Sequence, residues 1–438
     1  MDVLKEQFKE TKLGKVPADW KVLKFGEVFE FIKTSSHSKV QMTYGETESE
    51  IYNVHYGAIH TTYREQLLNF DKYNVPKIID DSKTPTKNQF LQDGDVVIVD
   101  ASEDADGMGE CVEIFNIEGR KVIGGLHTFA VRDKGSFYAK GFAGYIFKNT
   151  SSRNKLIGIA NISKVYGVSK GNIISVPLLI PTIPEQQKIA EILSTVDEQI
   201  STTQSIIDKS KQLKKGLMQK LFSEGIGHTE FKDTKIGRIP QSWDVVQLQD
   251  LCSLITYGLT VRPKYFDDGI PLISAKEIRQ GYVNSNSAKK INQIAFDKLS
   301  NKSKAKKGDL FFSKTGTIGL VAQVKDDIDL AITQNIAMIR IVSDMVNTDF
   351  MEFVFRSIQF QKSALAKVNQ STIMDFQLRD LRKMRVPIPS ALEQQKIAEI
   401  LSEADAKIEK EEQEKTQLEQ LKKGLMQQLL TGKKRVKV

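Results

Sequence analysis

Two stretches of the chain carry the same stripe of apolar residues at helical spacing. In the first, apolar side chains fall at Ile189, Leu193, Val196, Ile200 and Ile207, a four-three-four pattern typical of a coiled-coil seam. The register then shifts towards Leu213, Leu217 and Leu221. Pro184 suits the first turn, where its missing N–H costs nothing, and Gly225 and Gly227 favour a stop. The second stretch runs through Ile397, Leu401, Ala404, Ile408, Leu418, Leu421, Leu425 and Leu429 and ends near Gly432. The pattern predicts two rods of about 38 residues, or ~57 Å each. A seam of that length most simply buries itself on the other rod. The charged run 407–415 reads as a solvated face.

Outside the rods the period changes to short β-rich runs punctuated by glycine. Gly94-Asp95 precedes the run Val96 to Val99, and Gly308-Asp309 precedes Leu310 to Ser313, so each block places a Gly-Asp turn ahead of a strand. Further strands are predicted at 127–132 and 336–342, and each block returns to its rod through a Pro-containing strand, 176–181 and 386–389. Trp20 and Trp243 read as core residues. The fold class is α+β, with globular blocks 1–183 and 225–388 alternating with helices 184–224 and 389–432 ahead of a short basic tail, 433–438.

The halves are copies. Glu185–Ser194 and Glu393–Ser402 are identical, and Gln212–Leu221 is answered by Gln420–Leu429 at the same offset of 208. The 17 residues between these patches differ heavily while their number is kept, so the length of the rod matters. A second repeat, Phe8 to Trp20 against Phe231 to Trp243, is offset by 223, so the first block is the longer one. Repeats of this size are duplicated domains, not solenoid units.

With 438 residues and 40% hydrophobic content the chain can bury two or three cores. A net charge of +8 favours a polyanionic partner without requiring one. Two cysteines far apart, Cys111 and Cys252, argue against a disulfide framework or zinc ribbon and suit a reducing cytoplasm. No run approaches the ~20 apolar residues of a membrane span.

Catalytic motifs are missing. There is no G-x-x-x-x-G-K-[ST] phosphate loop, no adjacent prolines for the N-P-P-[FY] pocket of adenine methyltransferases, and no metal-like grouping of the five histidines. The chain is expected to be no enzyme and to hold no metal or cofactor of its own. Its informative polarity lies in loops, whose Ser, Thr, Asn, Gln, Lys and Arg can donate to phosphates or pair with base edges. The candidate DNA contacts are His55, Tyr56, His60, Thr61, Tyr63, Arg64 and Ser102 in the first block. In the second they are Lys276, Arg279, Lys314, Thr315, Thr317, Gln334, Asn335, Asn369, Gln370 and Ser371. Taken singly, each histidine reads as a structural hydrogen-bonder in preference to a catalyst. The seven lysines of Lys289–Lys307 read equally well as a solvated surface helix.

The E-Q-Q-K-I-A-E-I-L opening and L-K-K-G-L-M-Q-x-L closing of both rods, with the G-x-x-P-x-x-W motifs at Gly14–Trp20 and Gly237–Trp243, closely resemble the specificity subunit of type I restriction–modification enzymes. The resemblance spans essentially the whole chain. It implies that the blocks are target recognition domains, each reading one half of a split, asymmetric site in double-stranded DNA. It implies an internal pseudo-two-fold, with the rods packed as an antiparallel coiled coil that sets the spacer. Two copies of a DNA adenine methyltransferase subunit would dock on the helices, through Glu185, Gln186, Gln187, Lys188, Lys214 and Lys215 and through Glu393, Gln394, Gln395, Lys396, Lys422 and Lys423. Those partners and a restriction motor subunit would carry S-adenosylmethionine, Mg and ATP. The rival expectation is a coiled-coil scaffold that joins protein partners without reading DNA.

Overall fold

Val96 to Val99 is buried at every position, because the strand it forms is covered on both faces and has no solvent side to present. In the computed structural model, which describes residues 8–63, 65–80, 89–162, 165–279, 281–368 and 374–438, the chain divides into two units. One comprises Met1–Ile206 with Glu411–Val438 and the other Ile207–Lys410, so each holds one block and parts of both long helices.

The first unit contains two main sheets. One runs in the order Phe29–Ile32, Thr128–Asp133, Val96–Val99, Cys111–Phe115, Leu67–Asn69, antiparallel except for the last pair. The other runs Lys121–Gly124, Ile51–Val54, Lys77–Ile78, Met42–Thr43, with its first pair parallel. An apolar cluster including Val54, Val97, Val99, Val122 and Ala130 joins the two sheets. Val96, Ile98 and Phe129 pack on the opposite side with Phe25, Phe147 and Leu156. Strand Lys21–Lys24 pairs antiparallel with the returning strand Pro177–Ile180, and Trp20 is buried beside them with Leu179.

The second unit repeats this plan. Its antiparallel sheet runs Cys252–Tyr257, Ile336–Ile341, Leu310–Ser313, Val321–Gln323, and its partner sheet runs Lys289–Ile291, Ile270–Ile273, Leu330–Ile332, Lys304–Ala305. Strand Asp244–Gln247 pairs with Arg385–Ile388. The lysine-rich 289–307 segment is not a surface helix: it forms two strands around the short helix Gln293–Asp297 and a 3-10 turn, because Ile291, Phe296 and Ala305 anchor it inward at non-helical spacing.

Both Gly-Asp turns form as read. Gly94 and Gly308 take φ of 91° and 90°, the left-handed region where glycine alone is free of strain. Each aspartate closes its turn by accepting a backbone N–H, from Gln92 at 2.7 Å and from Lys306 at 2.8 Å. Each also accepts a two-pronged guanidinium from the neighbouring strand, Arg132 on Asp95 and Arg340 on Asp309.

The long helices span Ile183–Glu224 and Ala391–Leu429, and Gly225 and Gly432 follow them with φ of 63° and 68°. They pack antiparallel. In the first unit Ile189, Ala190 and Leu193 share a cluster with Leu425, Leu429 and Leu430, while Asp197, further along, meets Lys422. In the second unit Leu217, Leu221 and Phe222 share a cluster with Ile397 and Leu401, and Lys214 meets Asp405. Ile189, Leu193, Val196, Ile200 and Ile207 are buried as the spacing predicts, but Leu213 and Leu421 are not, being 65% and 50% exposed. The inward positions beside them belong to Lys214 and Lys422. Their stems run along the seam while their ammonium groups are neutralised by the facing aspartate, so a charge occupies a place that apolar spacing assigned to leucine. Among the described residues no helix is long and apolar enough to cross a membrane.

Candidate nucleic-acid interface

The candidate contacts gather where strands of both sheets end. In the first unit, strand Ile51–Val54 runs into His55 and the short helix Tyr56–Thr61, and strand Val96–Val99 runs into Asp100 and Ser102. Between Lys121–Gly124 and Thr128–Asp133 the chain turns through His127, a non-glycine residue with φ of 57°. The backbone N–H of Asp100 donates to the carbonyl of His127 at 3.2 Å. These ends form one cluster. The Tyr56 ring meets His127, His60 and His55 edge-on, with centroid distances of 5.3, 6.2 and 6.3 Å.

Gly107 brings the loop after Ser102 against this cluster, since a Cβ there would lie 2.1 Å from Ser102 Oγ and 2.7 Å from His60 Cε1. Burial, then Lys39, lowers the His55 pKa, and burial raises that of Asp100 despite nearby His127 and Lys170. Tyr56, His60 and Thr61 are exposed. Tyr63 is not a surface residue. It is buried in the core with its ring edge-on to Tyr73 at 5.6 Å, because the chain turns inward after the short helix. Arg64 lies outside the described residues.

In the second unit the equivalent strand ends carry Lys276, Arg279, Lys314, Thr315, Thr317, Gln334 and Asn335. Gln334 and Asn335 turn between Leu330–Ile332 and Ile336–Ile341, where the first unit has His127, and the backbone N–H of Lys314 donates to Asn335 as Asp100 does to His127. Thr317 is exposed in the turn that follows strand Leu310–Ser313. Lys314 and Thr315 are not free donors: both hydrogen-bond Asp375 Oδ1 at 2.6 Å. Burial alone would raise the Asp375 carboxyl, but those two bonds hold it below its ordinary range. Arg279 is exposed yet donates to the carbonyls of Lys276 and Ile278. Asn369, Gln370 and Ser371 lie outside the described residues.

Lys276, Gln334 and Asn335 share a cleft of about 350 Å3 with Thr333 and with Arg262 and Tyr265, the last two missed by motif reading. His127 was missed as well. The helical offset of 208, applied to Asn335, points to it directly.

The twelve helix residues expected to dock partners divide sharply. Glu185 and Gln186 are 1% and 0% exposed, and Glu393 and Gln394 are 9% and 1%. Glu185 accepts the Trp20 indole N–H at 2.8 Å and Glu393 that of Trp243 at 2.9 Å. Gln186 bonds the backbone of Phe137, Ala139 and Pro181, and Gln394 that of Met345, Asn347 and Pro389. These four residues hold each helix start to its block and offer nothing to a partner. Lys214 and Lys422 are engaged in the seam. Lys188 pairs with Glu191 at 2.8 Å, and Gln395 bonds Glu399 at 2.8 Å. Gln187, Lys215, Lys396 and Lys423 remain at the surface. The basic tail is also tied down, with Arg435 donating to Glu185 and Asp19.

Two α+β units of one plan, each packed on parts of both long helices and each bearing a polar cluster at matching strand ends, mark the chain as an internal duplication. The sequence matches the type I restriction modification DNA specificity domain over residues 17–212 and 240–420, and the chain belongs to that family. It is 26% identical to the type I restriction enzyme MjaVIII specificity subunit of Methanocaldococcus jannaschii over 447 residues, covering 99% of this chain and 97% of the relative. It is 26% identical to the EcoBI specificity subunit of Escherichia coli over 235 residues, 50% of this chain and 49% of that one. Its fold is like that of the type I restriction–modification S subunit from M. genitalium, with a TM-score of 0.55 at 14% identity, covering 94% of this chain and 96% of that structure.

Proposed function

We propose that this chain is the DNA-reading subunit of a type I restriction–modification assembly, with each unit reading one half of a bipartite, asymmetric site in double-stranded DNA. The observation that carries this reading is the matched placement of different side chains. The same strand ends present a histidine-tyrosine cluster in the first unit and amides with cations in the second. Equivalent positions with unlike chemistry suit two different half-sites.

The long helices set the gap between the half-sites and carry two copies of a DNA adenine methyltransferase subunit. With the four buried motif residues committed inside, docking falls to the exposed residues of the same helices: Gln187 and Lys396 near the helix starts, and the like patches around Leu213 and Lys215 and around Leu421 and Lys423 further along, matched surfaces for two copies of one partner. Methyl transfer with S-adenosylmethionine, and Mg- and ATP-dependent cleavage by a restriction motor subunit, belong to the partners, and this chain contributes no catalytic group.

Side-chain replacement separates sequence readout from phosphate binding. Gln334→Ala or Asn335→Ala is expected to cost about 1–3 kcal/mol on the cognate duplex and to relax one position of one half-site. Lys276→Ala should weaken all sequences alike and reduce the salt slope by about one. Titration of labelled duplexes at several salt concentrations checks both. Unchanged affinity, specificity and salt dependence across the set would contradict this face as the DNA interface. An absence of salt-dependent DNA binding by the intact chain would favour a protein scaffold.

A further inference from the structure

The cleft in the second unit has the wrong shape for groove reading. DNA grooves are concave, so side chains that read them must protrude. A hollow instead takes what protrudes from DNA, either a backbone phosphate or a nucleotide out of the stack.

The walls of the hollow are firmly built. Gly258 lies so close to strand Leu330–Ile332 that a Cβ would sit 1.8 Å from the Ile332 carbonyl oxygen. Leu259 donates to that carbonyl at 2.8 Å, and Gln334 donates back to Leu259 at 2.9 Å. Inside, the Thr333 hydroxyl is buried without a partner among the described residues. The Gln334 and Asn335 amides have no side-chain hydrogen bond, and Arg262 and Lys276 have no acidic partner, among the described residues. The exposed Tyr265 ring completes the lining, with the Lys289 ammonium 4.5 Å from its centroid. At the rim stands Val261, apolar and 77% exposed.

A phosphate would need only the cations Arg262, Lys276 and Lys289, and it would be opposed by Glu277, which also lines the cleft. From two amides and a hydroxyl it would take only the N–H and O–H donors and leave the carbonyl acceptors unused, whereas the Watson–Crick edge of a base uses donors and acceptors together. An exposed apolar side chain beside such a hollow has the chemistry of a wedge between base steps.

We propose that this hollow receives one nucleotide drawn out of the half-site read by the second unit. Its base edge meets Thr333, Gln334 and Asn335, its ring lies against Tyr265, its phosphate nears Arg262 and Lys276, and Val261 fills the gap left in the stack. This rests on the DNA-reading function above.

The test uses the intact chain without methyltransferase partners and duplexes carrying its methylation site, with an abasic position placed in turn opposite each base of this half-site. At one position, loss of the opposing base removes part of the unpairing cost, and binding should tighten about tenfold. Removing the extruded base itself should weaken binding by wild type and leave binding by Asn335→Ala nearly unchanged. If every abasic substitution weakens binding while the intact duplex is still bound specifically, the pocket is wrong and duplex readout stands. The pocket is equally wrong if a neutral methylphosphonate linkage is the one change the hollow senses. If no duplex is bound specifically, the DNA-reading function falls with it.

Discussion

Glu393→Ala is expected to destabilise the second unit by about 3–5 kcal/mol, the range for removing one member of a buried, charge-assisted group. Its carboxylate accepts from the Trp243 indole, from His228 at 3.0 Å and from the backbone N–H of Ile226 at 2.8 Å. Alanine leaves these donors facing a cavity, and the Trp243 N–H is fully buried. Glu393→Gln keeps the volume and one acceptor oxygen, and should lose about 1–3 kcal/mol. Amide exchange in the intact chain reads the effect, as faster opening of the paired strands Asp244–Gln247 and Arg385–Ile388. A loss below about 1 kcal/mol would place this contact among ordinary surface hydrogen bonds.

The second large effect concerns helix length. Asp197 and Lys214 are 17 residues apart on one helix, and Asp405 and Lys422 are 17 apart on the other. In an antiparallel pair the rungs Asp197–Lys422 and Lys214–Asp405 both close only if those spacings are equal. Four residues inserted near Thr203 alone would break that equality, so one rung must open and stability should fall by about 3–5 kcal/mol. Insertions near both Thr203 and its repeat position Glu411 restore equality and lengthen each helix by ~6 Å. The doubly lengthened chain, assembled with its methyltransferase, should recognise the same two half-sites with a gap longer by one or two base pairs. Sequencing of methylated DNA gives the answer. An unchanged gap in a folded double insertion would mean that the helices serve as a docking platform and not as a ruler.

The equal spacing also explains what the sequence left half-legible. Within the 17-residue stretch that separates the repeated helix patches, only Asp197/Asp405 and Ile200/Ile408 coincide between the repeats. One is a rung of the seam and the other a buried seam residue. Repeat comparison therefore carried the information that apolar periodicity lost when it assigned Leu213 and Leu421 to the interior. The strands were legible for the opposite reason: double-sided burial leaves an unbroken apolar run, and the Gly-Asp turns mark where it starts.

The interface was harder to read, because polar residues at strand ends look alike in sequence whether they face solvent or one another. Tyr63 turns into the core and Asp375 captures Lys314 and Thr315 through pairings between residues far apart in the chain. The resemblance placed Glu185, Gln186, Glu393 and Gln394 among the docking residues, but they are buried. They repeat because each ties a helix to its own block.

The central claim, two units reading two different half-sites, is most directly tested by mapping N6-methyladenine across the genome of cells that express this chain with its methyltransferase subunit. The account predicts one motif of two unlike words separated by a fixed stretch of unspecified bases. It also predicts that exchanging residues 225–388 for the corresponding block of a relative changes one word and leaves the other intact. A single continuous word, two identical words, or methylation unaffected by loss of this chain would contradict it.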